Sequence, residues 1–375
     1  MKKVIIRVII AAIIILIALL LFAKTRLNIN YSPETNELNF LKLEENWNVE
    51  VFADDLGGSR VSIPGPNNGV RMLEYKDGIV YATLPGKSEV IAISYDKNWK
   101  EYKRTVFISR LLRPHGITLY QDWIYIAAEN EVVRVKDLDK DGVADDETFE
   151  KLVDLPVGTH WTRSIKIFND KMYISIGSTC NVCNEEDPLR AKVLECDLNG
   201  NNCSVFASGL RNSVDLTYFD NRIWATDNGR DLAGKDIPPD EINVLEKGNN
   251  YGWPICYDDK VHDTDFDKKV YIRDPCIDTI SPVFKIQAHS APLGLEFLND
   301  DELLVALHGS WDRSPPTGYK IIKINILTGK TTDFISGFLG DNTIYGRPVD
   351  ILKIDENNIL ISDDVAGKIY RVYKK

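Results

Sequence analysis

The sequence predicts an all-β chain, a six-bladed β-propeller preceded by a single N-terminal transmembrane helix or signal anchor. Three observations lead there. First, one pattern recurs six times: an alternating apolar strand, a short turn, then a second alternating strand ending in a small residue. Second, the copies open about every 45–55 residues, with one interval of about 80 between the fourth and fifth. Third, no helical periodicity follows the N-terminal span and no GxGxxG turn is present, which excludes a Rossmann-type nicotinamide enzyme. A repeating antiparallel unit cannot bury both faces alone, so the six copies should pack around a shared axis.

Residues 1–26 stand apart. Lys2, Lys3 and Arg7 precede an unbroken apolar run from Val8 to Ala23, a little short of a bilayer core of roughly 30 Å, although Val4 to Ile6 extend it and Arg7 can snorkel. An uncleaved anchor and a cleaved signal peptide both remain open. The lack of a small-x-small site before Lys24 favours the anchor. Residues 27–375 then carry the propeller. The segment from Leu38 to Val51 is expected to supply an outer strand that closes the ring with the last blade.

The six copies run from Gly69 to Ala82, His115 to Ala127, Arg163 to Ser175, Asn212 to Thr226, Leu293 to Ala306 and Pro348 to Ser362. Most are followed by a third strand, such as Val132–Val135, Val193–Cys196 or Ile369–Val372. The long fourth interval places an insertion at 229–290. Between the second and third copies, Asp137, Asp139, Asp141 and Asp145 occupy positions 1, 3, 5 and 9 of a calcium loop, with Gly142 at the turn. Thr148 stands at position 12, so Asp146 or Glu147 is left to supply the last oxygen, and a solvated acidic hairpin is the alternative.

Six cysteines fall between Cys180 and Cys276 as the neighbours Cys180/Cys183, Cys196/Cys203 and Cys256/Cys276. Behind an export signal, three local disulfides are the economical reading, although fifteen connectivities are formally open to six cysteines. A zinc site is the rival, and the spacing of the second pair fits it poorly. Apolar residues make up 44% of the chain, ample for a large core, and the formal net charge of −11 argues against a nucleic-acid partner.

In a propeller, the segments leading into the innermost strands converge at one end of the axis. Here they carry Arg71, Arg113 and His115, His160 and Arg163, Arg211 and Asn212, His289, and Arg347. A cationic pocket in an anionic chain implies an anionic ligand, and the planar fork of Arg suits carboxylates. Spacing alone fits a multiply carboxylated cofactor, a polyanionic sugar or a phosphate.

The stretches Gly209-Leu-Arg-Asn212, Asp227-Asn-Gly-Arg230, Pro238-Pro-Asp-Glu241 and Tyr251-Gly-Trp-Pro254 resemble the signature of the glucose/sorbosone dehydrogenase family, quinoprotein propellers that oxidise sugars with pyrroloquinoline quinone (PQQ). Cys180-Asn-Val-Cys183 and Asp227 to Asp231 look most similar to its sorbosone dehydrogenase-like branch. The resemblance implies PQQ- and calcium-dependent oxidation of an aldose or related sugar, with His160 as general base. It places Arg211, Asn212 and Arg347 at the quinone, and the backbone carbonyls of Gly229 and Arg230 on the active-site calcium. Glu241 and Tyr251 resemble residues around a calcium, and His308 or Ser310 lies near a family Lys position. Arg163 and His115 join the cofactor pocket through their repeat positions. Thr159 stands where glucose-oxidising members carry an Asp that orients the His, and Val349 replaces a second Arg.

The function expected is therefore that of a membrane-anchored, extracytoplasmic dehydrogenase passing electrons to a membrane quinone or a cytochrome; secretion after signal cleavage is the other localisation. Two other classes stay open: a lactonase-type metal-dependent hydrolase, with a side-chain metal cage on the axis, and a non-enzymatic propeller that binds an acidic glycan or a protein partner.

Overall fold

The computed structural model describes residues 30–31, 38–57, 69–341 and 343–374. The expected N-terminal span at 1–26 lies outside them. Among the described residues no helix is long and apolar enough to cross a membrane.

Six antiparallel sheets account for nearly all the regular structure. The first four blades run in chain order, opening with Leu73–Lys76, Gly116–Tyr120, Arg163–Phe168 and Leu216–Phe219. The fifth and sixth open with Pro292–Asn299 and Pro348–Asp355. These opening strands are the innermost, and each packs against its neighbours all the way round to the first blade again. Alternation explains the core: successive side chains on a strand point to opposite faces, so each blade offers one apolar set to the blade before it and another to the blade after. The described residues accordingly form six buried clusters, one per blade interface. Tyr125, Val132, Ile165 and Ile174 join the second and third blades. Phe52, Leu360, Val80 and Ile91 join the sixth to the first. Each fully buried aliphatic side chain contributes roughly 1.5–3 kcal/mol.

Two close approaches fix glycine at the axis. A Cβ on Gly116 would lie 2.5 Å from the Arg163 carbonyl oxygen, and one on Gly294 would lie 2.7 Å from that of Val349. Both neighbours are backbone, so a side chain there would push adjacent blades apart.

Trp47–Ala53 pairs antiparallel with the final strand, Lys368–Lys374, and closes the ring as expected. The expected segment is divided, however. Lys42–Leu43 pairs instead with Thr331–Ser336 and adds a fifth strand to the fifth blade. The insertion is also shorter than 229–290 suggests. Asp240–Leu245 and Phe284–Ile286, both inside that range, are the third and fourth strands of the fourth blade. What lies between them is an excursion carrying a small hairpin, Cys256–Tyr257 with Val261–His262, and it is clamped by the Cys256–Cys276 disulfide. Cys180–Cys183 and Cys196–Cys203 are likewise joined, so all three cysteine pairs are local.

Candidate active site

The segments leading into five of the six opening strands converge on one cavity of about 260 Å³. Its wall includes Arg71, His160, Arg211, Asn212, His308 and Arg347, with Trp161 beside His160. The second blade is the exception. Arg113 instead pairs with the buried Glu129, 3.3 Å away, over the ring of Trp161. His115 is fully buried behind Arg71, its Nε2 3.3 Å from that guanidinium. Arg163 also departs from its expected place at the cofactor. It is fully buried and donates to the carbonyls of His160, Thr162 and Pro156, because as the first residue of its strand it points under the His160 segment.

His160 is oriented without the Asp that Thr159 replaces. Its Nδ1 lies 2.9 Å from the carbonyl oxygen of Ser178 and 2.8 Å from the hydroxyl of the same residue. The Ser178 hydroxyl is itself committed as a donor to the Cys180 carbonyl, so Nδ1 carries the proton and the Nε2 lone pair is left for the cavity. Burial, with the positive charges of Arg211, Arg190 and Arg163, pushes the His160 pKa down to about 3. The ring is therefore neutral at physiological pH. Residue 177 must be glycine for this arrangement: a Cβ would fall 2.7 Å from that of His160 and 2.6 Å from Asn212 Oδ1. Arg190, which sits in a connecting loop rather than at a repeat position, lies beneath and donates to the carbonyls of Gly177 and His160.

Asp227 pins the Arg211–Asn212 turn by accepting both backbone N–H groups, at 3.0 and 2.6 Å. Burial pushes Asp227 up to about 7. Arg211 reaches across to the disulfide-closed loop, where Asn181 takes its Nε on the carbonyl and its Nη2 on Oδ1, both at 2.9 Å. Opposite, Arg71 Nη1 lies 2.6 Å from Asp364 Oδ2, and His308 Nε2 lies 2.8 Å from the other oxygen. Burial alone would raise Asp364, but His308 and Arg71 reverse this and hold the carboxyl well below the usual range. Burial and Arg347 push His308 down to about 4, so Arg71 is the ionic partner of Asp364 at neutral pH and His308 is a neutral donor.

The charge of the cavity is thus more balanced than a count of arginines implies. Arg71 is neutralised by Asp364, and Arg211 faces Asp231 at 3.3 Å. Arg347 differs. It donates to the carbonyls of His308 and Gly309, and no described carboxylate forms an ion pair with its guanidinium. Arg347 leads into the sixth blade and His160 into the third, so a cation with no described ion-pair partner and the neutral imidazole face each other across the axis.

Of the residues expected at calcium, Gly229 lines the cavity, its N–H held 2.8 Å from Asp240 Oδ1. The Arg230 side chain turns away to Asp263. Glu241 and Tyr251 line a smaller cavity behind Arg230 rather than the axial one. Their polar groups already have partners: the Tyr251 hydroxyl donates to the Val244 carbonyl at 2.7 Å, and Glu241 accepts from Asn243 and Asp258. Ser310 is buried in its own loop, accepting from the Thr317 N–H. In the acidic loop, Asp137, Asp139 and Asp145 bring one oxygen each within 4.8 Å of one another. Asp141 does not join them, because its carboxylate accepts the Val143 N–H in a local turn.

The chain matches the family model described as TrAA12-like over residues 41–337. It is 31% identical to an uncharacterized protein of Borreliella burgdorferi, with 89% of this chain and 90% of that protein covered. It is also 30% identical to the pyrroloquinoline quinone-dependent pyranose dehydrogenase of Coprinopsis cinerea over 24% of this chain, a stretch that spans 16% of that enzyme. Among solved structures, the family AA12 enzyme of Trichoderma reesei superposes with a TM-score of 0.75 at 18% identity, covering 89% of this chain and 98% of that one. The holo PQQ domain of the Coprinopsis cinerea pyranose dehydrogenase gives 0.73 at 19%, covering 89% and 97%. The apo aldose sugar dehydrogenase of Escherichia coli gives 0.64 at 17%, covering 88% and 100%. These superpositions establish the propeller fold.

Proposed function

The chain belongs to the TrAA12-like family, and on that footing we propose that it is a PQQ- and calcium-dependent dehydrogenase of an aldose or related sugar. The observation that carries this reading is the pairing across the axis of a neutral His160, its Nε2 lone pair free, with the cation of Arg347, which has no ion-pair partner among the described residues. A flat polycarboxylate fits that donor set, with Arg347 and Arg211 holding its carboxylates, Trp161 against a face, and the Gly229 and Arg230 carbonyls offering hard oxygens to calcium. When bound, the quinone supplies a two-electron acceptor and calcium polarises its carbonyl. His160 takes the proton of the sugar hydroxyl at Nε2 as the carbon is oxidised, and Ser178 holds the ring in the tautomer that allows this. The Ser178 carbonyl does the orienting work of the missing Asp.

The test is a titration of the full chain with the quinone and calcium, followed by absorbance, then by aldoses with an artificial electron acceptor. Saturable uptake and sugar-dependent turnover are expected. Arg347→Ala should weaken uptake at least about tenfold, as losing a charged hydrogen bond does, with partial rescue by Arg347→Lys. Absence of uptake, or hydrolysis of a lactone instead, would move the chain to the hydrolase or binding class. The Asp137, Asp139 and Asp145 loop is read as a separate structural calcium site. In the same titration, calcium without quinone should raise the melting temperature, and Asp139→Asn should remove that rise.

We place the enzyme outside the cytoplasm, with residues 1–26 as its attachment to the membrane and a membrane quinone or cytochrome as electron acceptor. The three disulfides and the apolar run support this. The full-length protein should remain with the membrane fraction after an alkaline carbonate wash; recovery in the wash would count against the anchor.

A further inference from the structure

On the cavity wall between the fourth and fifth blades, three donors point at one place. His289 Nδ1 lies 3.2 Å from Asp312 Oδ1 and 3.5 Å from Asp231 Oδ1, and the three atoms lie within 4.8 Å of one another. Two further observations single this cluster out. His289 Nε2 is 2.8 Å from the Gly234 carbonyl oxygen, so that nitrogen carries a proton and Nδ1 faces the carboxylates. A ring N–H tied to a backbone carbonyl is the arrangement that orients metal-ligating histidines. Asp312 Oδ1 is also buried with no hydrogen bond, on a side chain only 8% exposed. A neutral His289 would then aim a lone pair at two anionic oxygens with nothing between them. Arg211, 3.3 Å from the other oxygen of Asp231, Oδ2, offsets part of this charge but places no donor on Asp312 Oδ1.

We propose that Asp231, His289 and Asp312 bind a divalent first-row transition cation at the wall of the axial cavity. The donor set, one imidazole and two carboxylates, suits zinc, manganese, iron or cobalt, whereas calcium prefers oxygen throughout. Three protein ligands leave coordination positions open, and Asp231 and His289 both line the cavity, so those positions face whatever occupies it. The site is distinct from the Gly229 and Arg230 carbonyls, and it does not depend on the sugar dehydrogenase reading.

The experiment uses the chelator-stripped full chain without quinone, titrated with cobalt(II) and followed by its visible absorption. One equivalent should bind and survive millimolar calcium. His289→Ala should weaken it by more than about 100-fold, since even outer-shell partners alter metal affinity roughly 10–100-fold. Asp312→Asn, nearly isosteric, should also weaken it while leaving the melting temperature of the stripped chain within a few degrees, and Asp139→Asn should leave it unchanged. No binding, binding that His289→Ala retains, or displacement by calcium would overturn the proposal. So would nitrogen NMR showing His289 doubly protonated in the stripped chain and unaltered by zinc, since the two carboxylates would then hold an imidazolium.

Discussion

Replacing His160 by alanine is expected to lower sugar-dependent turnover by about 10²–10⁴-fold, the range over which a positioned general base acts, while quinone uptake stays saturable. The ring lines the cavity, whereas the arginines that would hold carboxylates are braced by other groups. The pH dependence follows from the His160 pKa of about 3, set by burial and the neighbouring arginines. A base with that pKa is not lost as the pH falls through 6.5, so nitrogen NMR should find His160 neutral, protonated at Nδ1, down to about pH 4. For stability the sign is the reverse of a protonated, paired histidine. The folded pKa is depressed, so protonation favours the unfolded chain, and the contribution of His160 is fully present above about 6.5 and lost as the pH falls toward 3. A variant that turns over normally would remove His160 from the role of base, and an imidazole that titrates near 6.5 would mean that water and not the buried arginines sets its protonation.

Asp364→Ala is expected to cost about 3–5 kcal/mol of stability, read from the midpoint of urea unfolding. Its partner Arg71 is 2% exposed, and removing the carboxylate strands that guanidinium and leaves His308 without an acceptor. The pair joins residues 293 positions apart and ties the first blade to the sixth. Asp364→Asn retains the shape without the charge and should fall between the variant and the parent. Because His308 and Arg71 hold the Asp364 carboxyl below its ordinary value, its contribution is fully present above about pH 4 and is lost on further acidification. A loss under about 1 kcal/mol would mean that water reaches Arg71 when the carboxylate is gone.

Much of the fold was legible because period-2 alternation and repeat spacing are local properties. The six hairpins and the closing strand follow from them, and the three disulfides join the cysteines that are neighbours in sequence. Repeat position also showed which segments reach the axial end, but not where each side chain points once there. His160, three residues before its strand, faces the cavity, while Arg163, the first residue of that strand, lies underneath. Ser178, Arg190, Asn181 and Asp364 escaped notice because their roles exist only after distant segments meet. A serine carbonyl that orients a histidine leaves no residue-type signal at all. His289 carried a signal, three residues before the opening strand of the fifth blade, but Asp231 and Asp312 follow the second strands of the fourth and fifth blades, so the acidic half of the cluster had no repeat position to mark it.

The pairing of Trp47–Ala53 with Lys368–Lys374 also bears on the order in which the chain folds. Glu50 and Arg371 are 321 positions apart, so Trp47–Ala53 has no partner until almost the last residue has emerged. Blades one to four, and the four consecutive strands of the fifth, can assemble from nearby pieces, but the ring stays open at one seam until synthesis ends. The rate-limiting event should therefore be the closing of one very long loop, and a chain lacking its last ten residues should remain an open arc with an apolar edge exposed.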